Sequence, residues 1–318
     1  MTTSENAGTV AKRRTSARAH RGTRRRFSRP TSRLAERWTT IDGVDVFYRE
    51  SPRPSPDKPV MVHLHGFGLS GQYLLPTAEA LAEEFHILVP DLPGFGRSGN
   101  AIEPLTVPEL AHAAAAFLDT QGIDRVTLAG NSMGCPVICE FGYEYPERLE
   151  RAILVSPAGG INNRPLPRAV RQLSHDGLRE PTRLLRVVVP DYLRFGVPST
   201  FRMFRALTQY PALDRLLALD VPMLVVAGSR DPLMPGPARI REVAGQIEHR
   251  AVFVVIDGAA HAINFSHPGE LANVIRQFMA DKEIIDDPDS PGNARAYELY
   301  RGIHAPKPQD GLGDINQQ

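Results

Sequence analysis

From residue 38 onward, short apolar runs alternate with longer helix-like stretches. Trp38-Thr39-Thr40-Ile41 and Val44-Asp45-Val46-Phe47-Tyr48 flank Asp42-Gly43, the signal of a two-stranded hairpin. Strands are predicted near 59–65, 86–90, 125–130, 151–156, 222–228 and 251–256, and helices near 72–84, 106–121, 133–145, 235–247 and 267–281. Near-continuous apolar strands between helices require an α/β arrangement, a mostly parallel central sheet covered by helices on both faces. Residues 160–219 interrupt the alternation with proline-broken helical pieces.

One strand end carries chemistry. Val126-Thr127-Leu128-Ala129 runs into Gly130-Asn131-Ser132-Met133-Gly134, which sets Ser132 at a sharp strand-to-helix corner. Glycines two residues to either side give the crossing backbone room. A serine hydroxyl is a weak nucleophile near neutral pH and needs a base, a group to orient that base, and donors for the oxyanion that forms. His261 follows the run Val252-Phe253-Val254-Val255-Ile256 and the turn Asp257-Gly258-Ala259-Ala260; Asp231 follows Val221 to Gly228 in the same way. Both are expected on loops at the C-terminal ends of strands, where sites gather in such sheets. The helix after Ser132 takes Pro136 near its start, where a missing N–H costs little, and points its N-terminus at the serine. That makes the Met133 N–H an expected oxyanion donor. Upstream, Val60 to Leu64 leads into His65-Gly66-Phe67-Gly68, a turn able to aim amides inward.

Each motif has a plainer alternative. A serine between glycines is a common turn residue, and Asp231 before Pro232 also suits a turn carboxylate. Of ten histidines, His261 stands out by position. His65 is expected to brace its turn by hydrogen bonding, and His86, His112, His175, His249, His267 and His304 are expected to be structural.

With the H-G-x-G turn, the segment Asp91-Leu92-Pro93-Gly94-Phe95-Gly96-Arg97-Ser98, the elbow, the acid loop and the histidine loop in this order, the chain resembles α/β-hydrolase fold proteins over roughly residues 38–280. The resemblance implies a Ser132–Asp231–His261 triad, the Phe67 N–H as second oxyanion donor, a helical lid at 160–219 and core segments at 38–159 and 220–281. It also implies a serine hydrolase that cleaves a small-molecule carboxylic ester or related acyl compound through an acyl-enzyme, with no cofactor and no metal. Ser132 stands where haloalkane dehalogenases and epoxide hydrolases of the fold have aspartate. Meta-cleavage C–C hydrolases are similar at the elbow, but their oxyanion turn continues Gly-Pro-Gly, whereas this one continues Phe67-Gly68-Leu69-Ser70. Thioesterases and cofactor-free haloperoxidases share the triad, and a non-catalytic ligand-binding receptor of the fold is the alternative of another class.

Composition refines the picture at the ends and in the lid. Residues 1–37 hold eleven Lys or Arg against two Glu, although the whole chain carries only +1. Such an arm is expected to be disordered alone, with loose contact to an anionic surface as its functional reading. Thr23 to Arg29 resembles a twin-arginine core but lacks a following apolar region, so a cytoplasmic location is expected, with export or organelle targeting by the arm as the alternative. No run reaches the ~18 to 20 apolar residues that span a bilayer. The lid holds ten arginines against four acids, read as a solvated helical face rather than an anion site, and enough apolar residues to line an acyl pocket or to fasten the lid. Cys135 and Cys139 read as small packing residues. Residues 282–318 form a C-terminal extension, a linker followed by a segment at 296–303 able to dock on the core or a partner subunit.

Overall fold

The computed structural model describes residues 33–52, 57–100, 105–157, 165–235, 237–247, 250–282, 284 and 296–301. The expected basic arm up to residue 32 and the tail from residue 302 lie outside them. The elements in chain order are β1 (Ala35–Ile41), β2 (Val44–Glu50), β3 (Val60–Leu64), α1 (Leu75–Leu81), β4 (His86–Pro90), α2 (Val107–Thr120), β5 (Val126–Asn131), α3 (Gly134–Glu144) and β6 (Leu149–Val155). Four helices follow, α4 (Leu166–Gly177), α5 (Leu185–Phe195), α6 (Val197–Gln209) and α7 (Ala212–Ala218). The chain then returns to β7 (Met223–Gly228), α8 (Pro237–Ala244), β8 (Ala251–Ile256), α9 (Ile263–Ser266), α10 (Pro268–Met279) and β9 (Ala296–Arg301).

Nine strands form one sheet in the order β1-β2-β4-β3-β5-β6-β7-β8-β9. Every pairing from β4 through β8 is parallel, while β1–β2, β2–β4 and β8–β9 are antiparallel. All six residues of β5 and of β7 are buried, which is why neither sequence holds a charged residue. Alternate positions feed two separate cores. Val62, Leu64 and Leu128 point into one with Leu110, Phe117, Ile138 and Phe141 of α2 and α3. Met61 and Ala129 point into the other with Leu81, Leu271 and Ile275 of α1 and α10. Each large apolar side chain buried this way contributes about 1.5 to 3 kcal/mol.

The helices α4 to α7 sit between β6 and β7 as the expected helical insertion, with Pro190 inside α5. One boundary differs from the sequence expectation. β1 begins at Ala35, and Leu34 is only 3% exposed, so the last residues assigned to the arm belong to the folded sheet. At the other end, Ala296–Arg301 adds a ninth strand against β8, which is the docking on the core that the sequence allowed.

Register decides where the site forms. Leu64 at the end of β3 pairs with Gly130 of β5, and Gly228 at the end of β7 pairs with Ile256 at the end of β8. The turn at residues 65–68 therefore emerges beside the elbow, and the Asp231 loop beside the His261 loop.

Candidate active site

The elbow is tight because two glycines face each other across it. A Cβ at Gly130 would stand 2.7 Å from the Gly134 carbonyl carbon, and one at Gly134 would stand 2.5 Å from the Leu64 oxygen. Between them Ser132 adopts φ 56°, a left-handed conformation that costs a residue with a Cβ roughly 1 to 3 kcal/mol. Its N–H donates to Val155 O at 3.0 Å and its C=O accepts from Cys135 N at 3.0 Å, so neighbouring strand and helix hold the strain in place. Within Asn131 to Cys135, Ser132 alone is not fully buried.

Asp231 and His261 meet. Asp231 Oδ2 lies 2.8 Å from His261 Nδ1, and the carboxylate side chain is 0% exposed. The other oxygen, Oδ1, accepts from Leu233 N at 2.9 Å, so one carboxylate both closes its turn and meets the imidazole. Burial works against the charged carboxylate, yet the facing His261, its hydrogen bond and the Leu233 amide hold the Asp231 pKa below its ordinary value. Burial alone would likewise depress His261; the charge and hydrogen bond of Asp231, then the charges of Asp176 and Glu180, carry it up to about 9. Asn131 ties the elbow to this pair, its Nδ2 donating to Val155 O at 3.1 Å and to His261 O at 3.2 Å. Among the described residues no hydrogen bond joins the Ser132 hydroxyl to the imidazole.

The turn at residues 65–68 abuts the serine from the other side: a Cβ at Gly66 would stand 3.2 Å from Ser132 Cβ. Gly66 N donates to Tyr73 OH at 2.7 Å, and Tyr73 OH donates to Asn131 Oδ1 at 2.7 Å. His65 braces the turn as expected. Leu92 N donates to its Nε2 at 3.0 Å, which leaves Nδ1 to donate to Gly66 O at 2.9 Å. Burial keeps this imidazole neutral by lowering its pKa. Neither Phe67 N–H nor Met133 N–H has a protein acceptor among the described residues.

The lid roots on this turn. Asp191 Oδ2 accepts from Ser70 N at 2.9 Å and Ser70 Oγ at 2.6 Å. Phe67 packs edge-on against Tyr192 and Phe195, and Phe195 stacks on Phe95 at 4.9 Å. Of the apolar lid residues, Leu184 and Met203 are buried, whereas Leu185, Val189, Leu193 and Phe201 face outward. Arg168, Arg171, Arg179, Arg183 and Arg186 are exposed, as a solvated face requires. Sequence reasoning missed Tyr73, Asn131, Asp176, Glu180 and Asp191. Only Asp176 and Glu180 carried a signal, two acids four apart in an arginine-rich stretch.

Cys135 and Cys139 are buried free thiols whose pKa values burial pushes up, so they are packing groups. Among the described residues no three His, Cys, Asp or Glu side chains are grouped to hold a metal ion, and no helix is long and apolar enough to cross a membrane.

Residues 61–274 match the model of the alpha/beta hydrolase family. The chain is 26% identical over 261 residues to a poly(3-hydroxyalkanoate) depolymerase of Ectopseudomonas oleovorans, with 76% of this chain and 91% of that one covered. It is 28% identical over 247 residues to a pimeloyl-acyl-carrier-protein methyl ester esterase of Pectobacterium atrosepticum, covering 69% and 93%. Among solved structures, a membrane phospholipase A described as a bacterial virulence factor is similar with a TM-score of 0.67 at 26% identity, over 78% of this chain and 86% of that one.

Proposed function

The chain belongs to the alpha/beta hydrolase family, and from that premise we propose that it is a carboxylesterase-like serine hydrolase with Ser132 as nucleophile, His261 as base and Asp231 as orienting acid. The observation that carries this reading is the 2.8 Å Asp231–His261 contact on loops beside an elbow serine held at φ 56°. His261 takes the Ser132 proton as the oxygen attacks the ester carbonyl, and Asp231 stabilises the imidazolium. The Phe67 and Met133 amides receive the oxyanion, each contributing about 3 to 4 kcal/mol to the transition state. His261 then protonates the departing alkoxide, and water repeats the sequence on the acyl-enzyme. Phe67, Tyr192 and Phe195 offer aromatic surface beside the turn, which suits an apolar acyl group. Ester cleavage in the name of the methyl ester esterase supports the same bond class. A cytoplasmic location is part of the proposal, supported by two free thiols in the core.

The test is labelling by a fluorophosphonate probe together with hydrolysis of short aryl esters. Wild-type protein is expected to be labelled and active, and Ser132→Ala to lose labelling and at least about 10⁴-fold in kcat. Equal labelling of the two proteins, or turnover that survives the substitution, overturns the assignment.

A further inference from the structure

The loop that carries His261 is gripped from outside the sheet. His261 N donates to Asp176 Oδ1 at 3.0 Å and the next amide, Ala262 N, donates to Glu180 Oε1 at 2.6 Å. Both carboxylates come from the lid, Asp176 from α4 and Glu180 from the turn just after it. The same face of the lid holds the acid loop, where Gln172 Nε2 donates to Pro232 O at 2.9 Å and Arg179 Nη1 donates to Arg230 O at 2.6 Å. Positions 172, 176, 179 and 180 follow helical spacing. The turn persists beyond the end of α4 because Arg179 N and Glu180 N both donate to Asp176 O. Two consecutive amides of a catalytic loop therefore end on two lid acids one turn apart.

This arrangement is costly without a purpose. Glu180 Oε2 is shut off from solvent and has no hydrogen-bond partner among the described residues. An unpaired carboxylate oxygen in such a place opposes folding. Arginines dominate the surrounding sequence, yet the two positions that face the histidine loop are acidic.

We propose that Asp176 and Glu180 are positioning residues, lid carboxylates that fix the histidine loop through its two amides and set the charge that His261 meets. The proposal rests on His261 being the base of the hydrolysis described above. Without the clamp the loop keeps β8, Asn131, Asp231 and the Arg230 N–Ala259 O bond, but the amides of His261 and Ala262 lose their acceptors, and a displacement of the imidazole of about 1 Å is enough to cost about a hundredfold in rate. With it, three carboxylates face one imidazole: Asp231 from the acid loop, and Asp176 and Glu180 from the lid. Arg179 and Tyr192 stand beside Asp176, and Tyr73 beside Glu180. The base must be neutral to accept the Ser132 proton, so a cluster that favours imidazolium moves the rising limb of kcat/KM to higher pH. The shift of His261 to about 9 and of Glu180 to about 7, the latter by burial, agrees with this geometry.

The experiment compares the pH profiles of kcat and kcat/KM on a neutral aryl ester for wild type, the pair D176N/E180Q and the pair D176A/E180A. The amide pair keeps an acceptor oxygen at each site and removes the charge. Its rising limb is expected to lie lower than that of wild type by at least about half a pH unit. The alanine pair removes the acceptors, and its kcat is expected to fall by about tenfold to a hundredfold with KM within about twofold. A limb unmoved in the amide pair overturns the proposal, whatever the alanine pair does, and so does a wild-type kcat in a folded alanine pair. Fluorophosphonate labelling separates the two levels. Wild type that fails to label Ser132 sinks the hydrolase reading, whereas labelled wild type with an unmoved limb sinks only the clamp.

Discussion

Asp91 shows how much one buried carboxylate can organise. It is fully buried, as is Arg49 at 2% exposure, and their contact is 3.3 Å. Its oxygens also accept from Gly71 N at 2.8 Å and Arg97 N at 2.9 Å, while Arg49 Nη2 donates to Gln72 Oε1 at 2.9 Å. The segment 65–71 and the segment after β4 are thus stitched at two points, here and through His65. Removing one partner of a buried pair strands the other, at a cost of about 3 to 5 kcal/mol. Asp91→Ala is expected to lower stability by that amount, read as a lower urea midpoint with an unchanged slope. The acid in this motif was visible in the sequence, but its partner was not. Arg49 lies 42 positions earlier at the end of a hairpin, and nothing local marks an arginine as one that will be buried. The strand-end positions of Ser132, Asp231 and His261 were legible for the opposite reason, since placement after an apolar run is a local property.

Among the elements, the ends of β7 and β8 have the narrowest tolerance. They pair in parallel up to Gly228 and Ile256, and the loops beyond must cross to bring Asp231 to His261. A Cβ at Gly228 would stand 2.3 Å from Ala259 O and 2.6 Å from Ala260 O, both backbone atoms that cannot swing aside. Gly228→Ala is expected to push the histidine loop outward. That costs about 1 to 3 kcal/mol of stability and slows fluorophosphonate labelling by about tenfold or more. A normal labelling rate would show that the loop reaches its place by another route. Strand and helix positions were readable because burial on both faces writes itself as unbroken apolar runs. The lid was readable only as helical and arginine-rich. Which of its residues grip the core depends on how α4 and α5 lie over the sheet ends, and the mean composition of the segment pointed to its exposed face.

At the scale of the molecule, the sheet begins earlier than composition suggested. Leu34 packs in the core, Arg33 N donates to Glu79 Oε1 at 3.0 Å, and β1 pairs with β2 along its full length from Ala35. Removal of residues 1–32 is expected to leave ester hydrolysis and the melting temperature close to wild type. Removal of residues 1–37 takes Leu34 and three residues of β1 with it, and is expected to lower the melting temperature by several degrees. Equal melting of the two truncations would place β1 outside the cooperative unit. Charge density hid this boundary, because Arg33, Glu36 and Arg37 continue the polar pattern of the arm while the chain has already entered the sheet. Short-range pattern was enough to specify the α/β layering, the elbow, and the order of serine, acid and histidine, since each depends on which neighbours are apolar and where glycine sits. Pairing across the fold was another matter. The anchoring of Asn131 on Val155 and on the histidine loop, and of the lid acids on two consecutive amides, joins residues 24 to 130 positions apart. Contacts at that separation arise only when the packed layers bring them together, so they leave no periodicity in the chain to be read.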